Sequence, residues 1–287
     1  MPTVLLSDRG VIEVAGPDAA DFLNRLLTNQ VPQELAPTNS ARLASHAALL
    51  TPQGKVLATL FILRHPSKQD SFLLDCPRVC LNDLIKRFTL YKLRAACTIT
   101  DVSAAWHVKA VLTADDAPQD TSGGIAYHDP RHAEMGLRLL SPDPTASDNG
   151  PAAYDTRRIA YGLAEDGKDF AAGDVFPHEI NLDHTNGLDF HKGCYIGQEV
   201  VSRMEHRGTA RNRIVTIGFA DHAQPPAGCE VRAGGLLLGH TGSVGAKGQG
   251  LALLRIDRVA EAQANAQPIT AGETPITVTL PDWMNHA

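Results

Sequence analysis

The 287-residue chain contains 43% hydrophobic and 20% charged residues, a balance typical of globular proteins and unlike disordered chains or membrane proteins. Its net charge of -6 argues against tight, sequence-independent nucleic-acid binding, so no direct nucleic-acid partner is expected. No apolar run approaches the roughly 18–20 residues that span a bilayer, and Asp8 and Arg9 come too early for a signal peptide. We therefore predict a cytoplasmic protein without membrane association, long enough for two or three lobes.

The first 112 residues alternate between strand and helix patterns. Short apolar runs that favour strands lie at 4–6, 11–14, 41–50, 55–63, 71–75, 98–102 and 108–112. Apolar residues at helical spacing predict helices that begin at Pro17 and near Pro77. The turn signal Thr-Pro-Gln-Gly at 51–54 predicts that the two runs beside it form a hairpin.

The second half changes character twice. A strand at 136–140 and a Pro- and Ser-containing linker at 141–150 precede a predicted helix at 151–161. Residues 162–192 show no regular pattern, and such a length is uncommon outside functional loops. Short β-rich runs then follow at 214–219, 230–232, 236–238, 250–256 and 276–280. They predict a small all-β barrel or sandwich appended to an α+β body.

The five cysteines carry little sign of a disulfide framework. They are Cys76, Cys80, Cys97, Cys194 and Cys229. Their number is odd and none forms a CxxC pair, which is unlike a disulfide scaffold or a self-contained zinc site and favours a reducing compartment.

Cys194 lies in the segment FHKGCYIGQEVV, residues 190–201. Apolar residues at helical spacing, together with Glu199 and Arg203 four positions apart, predict a helix that starts near Tyr195 or Gly197. Cys194 then lies at or just before a helix N-terminus.

Backbone N–H groups and the helix dipole stabilise an anion at such a position, and Lys192 adds a positive charge. These effects favour a thiolate, which acts as a nucleophile or metal ligand. Gly193 and Gly197 allow a tight turn or the close approach of a ligand. The alternative is that Cys194 is a small buried residue at a loop-to-helix junction.

This segment resembles the signature of the YgfZ family and of its mitochondrial iron-sulfur assembly relatives. The matching residues are Lys192, Gly193, Cys194, Tyr195, Ile196, Gly197, Gln198 and Glu199, followed by Arg203, Arg207 and Gly208. Further similarity covers residues 21–29, 158–162, 177–183 and 280–283, so it extends over nearly the whole chain.

The resemblance implies an α+β fold like that of the glycine-cleavage T-protein. Residues 1–48 and 121–207 are then a discontinuous folate-binding-like domain, residues 49–120 an inserted ferredoxin-like domain, and residues 208–287 a C-terminal β-barrel.

The resemblance also implies a role in assembling or repairing [4Fe-4S] proteins. Clients of the family include radical-SAM enzymes, among them enzymes of tRNA modification. Cys194 is implied as a thiolate or transient cluster ligand shared with a partner, because one cysteine cannot supply the roughly four ligands that a cluster needs. His191 is a candidate second ligand. Tetrahydrofolate is the implied small-molecule ligand.

Two departures from the T-protein pattern limit the activity that is expected. The stretch 55–60 after the hairpin turn has no acidic residue, so the aminomethyltransferase reaction of glycine cleavage is not expected. Ala160 occupies the position where T-proteins carry a glutamate that holds the pterin ring. Glu179 and Asp183 are candidates to replace that carboxylate.

The predicted site for a folate or another anion is completed by Asn181, Arg203 and Arg207. Two alternatives stay open from the sequence. The chain is a folate-dependent one-carbon transferase or demethylase, or it is a non-catalytic module that binds client proteins.

Overall fold

A computed structural model describes residues 3–32, 44–112, 123–145, 150–208, 210–220 and 223–281. The strands are β1 Thr3–Leu5, β2 Arg9–Ala15, β3 Ala44–Leu50, β4 Val56–Arg64, β5 Ser71–Pro77, β6 Thr98–Asp101, β7 His107–Val111, β8 Ile125–His128, β9 Leu137–Ser141, β10 Asn212–Gly218, β11 Glu230–Ala233, β12 Leu236–Val244, β13 Gln249–Arg255, β14 Ile269–Ala271, β15 Thr274–Pro275 and β16 Thr277–Thr279. The α-helices are α1 Ala19–Leu26, α2 Arg78–Lys92, α3 Pro151–Ala160, α4 Gln198–Arg207 and α5 Ile256–Ala264. Residues 41–43, 146–149 and 282–283, which belong to a predicted strand, the predicted linker and the family match, lie outside the described residues.

Two antiparallel sheets form the body of the fold. The larger has the strand order β3-β4-β5-β2-β6 and the smaller has the order β1-β7-β9-β8. The predicted hairpin is confirmed, since β3 pairs with β4 in antiparallel register. Because successive side chains of a strand point to opposite faces, Ile12 and Val14 of β2 pack in the core of α1 and α2, while Val11 packs with residues of β7. The smaller sheet and the two helices therefore cover opposite faces of the larger sheet.

The C-terminal β-barrel is a seven-stranded antiparallel sheet of order β15-β14-β11-β12-β13-β10-β16. The prediction of a purely β lobe is wrong in one respect, because α5 packs Val259 and Ala262 into its core. The three-residue spacing of these two side chains is a helical signal too short to stand out among strands. The strands β8, β14 and β15 were also not predicted. The predicted domain boundaries stay a prediction.

A buried group of charges joins the two sheets of the body. Asp75 lies in β5, whose seven residues are all buried. Its carboxylate accepts hydrogen bonds from Arg9 Nε at 2.7 Å, from Arg138 Nη2 at 2.8 Å and from the Tyr127 hydroxyl at 2.7 Å. Burial alone would raise the pKa of Asp75, but the guanidinium groups of Arg138 and Arg9 hold it below its usual range. Since Arg138 and Tyr127 belong to β9 and β8, Asp75 links the two sheets.

The same network continues to α3. Arg131 Nη2 and Arg138 Nη1 donate to the Tyr154 hydroxyl at 2.7 and 2.9 Å, and this hydroxyl donates to Glu165 Oε1 at 2.9 Å. Arg131 also donates to both carboxylate oxygens of Asp129. Burial alone would raise the pKa of Asp129, but the Arg131 guanidinium lowers it to about 2. Arg131 is thereby engaged inside the protein.

Candidate functional site

Cys194 belongs to a loop formed by residues 189–197, here called the Cys194 loop. Asp189 closes its first turn, because its Oδ1 accepts hydrogen bonds from the backbone N–H groups of His191 and Lys192 at 2.8 and 3.1 Å. The backbone N–H of Asp189 donates to the Thr28 carbonyl at 3.0 Å. The loop is therefore anchored to the chain that follows α1.

Lys192 provides a second anchor to the same segment. Its buried Nζ donates to the carbonyl oxygens of Leu27 and Asn29 at 2.7 and 2.9 Å. Burial lowers the pKa of Lys192 to about 8. Its closeness in sequence predicts that this ammonium stabilises a thiolate at Cys194, but the structure directs it at the carbonyl oxygens just beyond the C-terminus of α1, where a positive charge is favourable.

The other end of the Cys194 loop is held by glycine contacts. Gly197 has φ +81° and precedes α4, and a Cβ atom on it would lie 2.7 Å from the Thr51 carbonyl oxygen. Gly54 of the hairpin turn has φ +79° and faces Val200. Tyr195 is buried in the core beneath the loop. The start of α4 thus packs directly on the turn between β3 and β4.

Cys194 itself is exposed, whereas Cys76 and Cys97 are buried and Cys80 and Cys229 are partly buried. The alternative that Cys194 is a buried packing residue is therefore wrong. The predicted helix start near Gly197 is confirmed, because Gly197 is the N-cap and α4 begins at Gln198, four positions after Cys194. The helix dipole acts mainly within the first turn, and the structure establishes the exposure of Cys194; its thiolate character stays a prediction.

The predicted site residues outside the Cys194 loop make hydrogen bonds and ion pairs in separate places of the fold. Glu179 accepts from the Phe176 backbone N–H at 2.7 Å and from Asn212 Nδ2 at 2.8 Å. Asp183 accepts from Arg213 Nη1 at 2.7 Å. Neither carboxylate is therefore without partners.

On α4, Glu199 and Arg203 form the predicted i,i+4 ion pair at 2.7 Å on the exposed face. Gln198 is the first residue of the helix and Arg207 the last, and Gly193 of the preceding loop is exposed. No contact among the described residues joins Arg203 or Arg207 to Glu179 or Asp183.

A cavity of about 390 Å³ lies where α3 approaches the barrel. Its lining includes Ala160, Tyr161 and Asn181 and contains no Asp or Glu among the described residues. The Tyr161 ring stacks on His132 with centroids 4.3 Å apart. Asn181 Nδ2 donates to the Ile214 carbonyl at 2.9 Å, while its buried Oδ1 has no hydrogen-bond partner among the described residues. Among its described lining residues the cavity therefore offers neutral polar side chains, such as those of Thr185 and Thr216, instead of a carboxylate.

The sequence did not predict a group of possible metal ligands that is formed by His178, Asp183 and Glu205. One ligand atom of each lies within 4.8 Å of the others. The spacing of five residues between His178 and Asp183 was visible in the sequence, but nothing local indicated that the end of α4 packs against them.

The sequence and the fold of the chain are similar to those of known proteins. Residues 211–286 match the family model of the CAF17 C-terminal beta-barrel domain. The glycine cleavage system aminomethyltransferase T from Bartonella henselae has the same fold, with a TM-score of 0.71 at 16% identity over 97% of this chain and 85% of that one. The predicted fold class is confirmed: the chain is a T-protein-like protein with a C-terminal β-barrel and an exposed cysteine loop.

The mitochondrial iron-sulfur cluster assembly factor IBA57 of Mus musculus is 33% identical over 308 residues, covering 97% of this chain and 84% of the mouse protein. The Homo sapiens protein is 32% identical with the same coverage. The Mycosarcoma maydis homolog is 34% identical, and its match covers 76% of this chain but 57% of that protein. The chain belongs to the IBA57 family of iron-sulfur cluster assembly factors.

The names of these relatives contradict the predicted cellular location. All three are designated mitochondrial, so the predicted cytoplasmic location is wrong. Within the described part of the chain, every helix is too short or too polar to cross a bilayer.

Proposed function

We propose that the chain is a YgfZ-type factor for the assembly or repair of iron-sulfur proteins, in which Cys194 transiently ligates a cluster. The observation that carries the proposal is the exposure of Cys194 in a loop whose neighbours, Lys192 and Tyr195, are buried. A thiol presented in this way is accessible to a second protein, and its backbone is held in place by the anchors on both sides. The names of the relatives, as iron-sulfur cluster assembly factors, support the same role.

The remaining ligands of the cluster come from a partner. Clusters ordinarily need about four ligands, and among the described residues the one group of at least three metal-ligating side chains does not include Cys194. A scaffold or glutaredoxin-like protein is the partner class that supplies thiolates, and [4Fe-4S] clients, including radical-SAM enzymes of tRNA modification, are the proposed acceptors. The cluster is the cargo of the reaction.

Anaerobic reconstitution with iron and sulfide tests this proposal. The chain alone should retain little cluster absorbance, whereas the chain mixed with a scaffold or glutaredoxin-like partner should form a cluster-bridged complex. Cys194→Ser should lower the yield of that complex by roughly tenfold or more, since disturbing even an outer-shell group of a metal site costs about 10–100-fold.

Cys229→Ser is the matched control, because Cys229 is a partly buried thiol whose Sγ contacts the Glu230 carbonyl at 3.7 Å. This variant should behave as the unaltered chain does. If Cys194→Ser forms the bridged complex normally, the ligand is another residue and the client-binding alternative, in which Cys194 has no chemistry, becomes the better account.

A second candidate function, the binding of a tetrahydrofolate-like ligand, is supported by the cavity beside Tyr161. The Tyr161 ring is one wall of this cavity, and the hydroxyl groups of Thr185 and Thr216 in its lining are neutral acceptors for the N–H groups of a pterin ring. A neutral hydrogen bond contributes about 0.5–1.5 kcal/mol, against about 1.5–3 kcal/mol for one to a charged group. Ala160 removes the charged partner, so we propose weak binding rather than none.

Restoring the carboxylate tests the folate proposal by a gain of affinity. Ala160→Glu adds an acidic group to the cavity lining and should tighten tetrahydrofolate binding by roughly tenfold, the ratio expected for about 1.4 kcal/mol. Ala152→Glu is the control, since Ala152 is an exposed residue of the same helix outside this cavity. Fluorescence titration under anaerobic conditions measures both. Equal affinities in the two variants, or no saturable binding in either, would contradict the proposal.

A further inference from the structure

Three metal-ligating side chains converge close to the Cys194 loop, and the ring centroids of His178 and Phe190 of the loop are 6.3 Å apart. His178 belongs to a short 3-10 helix, Pro177–Ile180, and Asp183 follows it. Glu205 lies in the last turn of α4. A group that brings one imidazole and two carboxylates within 4.8 Å of one another has the composition of a transition-metal site rather than of a solvated acidic patch.

His178 has the geometry of a metal ligand. Its side chain is 2% exposed, and its Nε2 lies 3.0 Å from Glu205 Oε2. An ionised carboxylate only accepts hydrogen bonds, so the contact with Glu205 favours the tautomer that carries its proton on Nε2, while the buried Nδ1 has no hydrogen-bond partner among the described residues. A metal ion bound at Nε2 would take the place of that proton.

Asp183 is positioned by a neighbouring cation. Arg213 Nη1 donates to its Oδ1 at 2.7 Å, and its other oxygen, Oδ2, lies 3.6 Å from His184 Nε2. An outer-shell partner of this kind orients a ligating carboxylate. The group of mutually close ligand atoms ends with these three residues, so water would fill the fourth position of a tetrahedral site.

The charges of the group favour a divalent cation. Asp183 and Glu205 supply two negative charges, and Arg213 supplies one positive charge. When the His178 imidazole is neutral, these charges give the site a net charge of about -1 before an ion binds. Mixed nitrogen and oxygen ligands suit zinc and ferrous iron, whereas calcium and magnesium select oxygen ligands alone.

We propose that His178, Asp183 and Glu205 bind one divalent transition-metal ion of the zinc or ferrous type. The ion would join the end of α4 to the segment at 177–184. The site shares no residue with the Cys194 loop, and the proposal does not rest on the chemistry of Cys194.

Zinc titration of the Cys194→Ser chain tests the site, since this background removes an exposed thiol that binds zinc by itself. Competition with a chromophoric chelator should reveal one equivalent of Zn²⁺ per chain. Glu205→Gln should weaken the binding at least about tenfold. The matched control is Glu199→Gln, because Glu199 is an exposed carboxylate of the same helix that pairs with Arg203.

A second measurement reports on the ligand directly. In the unaltered chain, Zn²⁺ should shift the ring ¹⁵N resonances of His178, and Glu205→Gln should reduce that shift at the same metal concentration. Absence of a bound equivalent in the Cys194→Ser chain, or equal zinc affinity in the Glu205→Gln and Glu199→Gln variants, overturns the proposal. Because the titration omits Cys194, its outcome does not depend on whether Cys194 ligates a cluster.

Discussion

Asp75→Asn is expected to lower the free energy of unfolding by about 3–5 kcal/mol, the usual cost of removing one partner from a buried ion pair. Asp75 is fully buried and is the shared acceptor for Arg9, Arg138 and Tyr127. The amide keeps the shape of the side chain but removes its charge, which leaves two buried guanidinium groups without their carboxylate. Urea unfolding followed by far-UV circular dichroism measures the change.

Asp83→Asn is the control for this experiment. Asp83 pairs with Arg87 on the surface of α2, with its side chain 59% exposed. Exposed i,i+4 pairs contribute only about 0.3–0.5 kcal/mol, so this variant should unfold within about 1 kcal/mol of the unaltered chain. If the two variants are equally stable, the buried hydrogen bonds of Asp75 do not stabilise the contact between the two sheets.

Gly197→Ala is expected to lower the free energy of unfolding by about 2–3 kcal/mol and to impair cluster bridging through Cys194. A side chain at φ +81° is strained, and the added Cβ would lie 2.7 Å from the Thr51 carbonyl oxygen and 3.1 Å from Gly54 Cα. Both contacts are backbone atoms that cannot rotate away. Relief of the clash must move the start of α4 and, with it, the end of the Cys194 loop.

The same loop provides a matched control in Gly193→Ala. Gly193 lies outside the positive-φ region, and nothing is within 4 Å of a Cβ atom placed on it. This variant should fold with near-normal stability and bridge a cluster as the unaltered chain does. Thermal unfolding and reconstitution with the partner, both compared at a temperature where each variant is folded, separate the two glycines. Similar losses in both variants would mean that the packing of Gly197 on the hairpin turn does not position Cys194.

Several parts of this protein could be predicted because their signals are local. Phe22, Leu23 and Leu26 recur at helical spacing, and α1 buries this stripe. The turn at 51–54 determined the hairpin. The i,i+4 spacing of Glu199 and Arg203 predicted an ion pair that the structure contains. Periodicity and turn chemistry act over a few residues and are readable without knowledge of the fold.

Polar partners distant in sequence could not be predicted in this way. Lys192 is two positions from Cys194 and was therefore predicted to stabilise its thiolate, yet its ammonium binds a carbonyl 165 positions away. Glu205 was an unremarked residue of a helix, and only the packing of α4 brings it to His178.

The sequence alone thus determined the principal helices and strands, the family resemblance and the choice of Cys194 as the candidate cysteine, because these depend on local periodicity and on a short contiguous motif. Only the tertiary structure decided which charges are buried together, that Cys194 is exposed while Lys192 is not, and where an imidazole meets two carboxylates. A buried charge requires a partner, and in this protein that partner comes from an element distant in the sequence and not from a neighbouring residue.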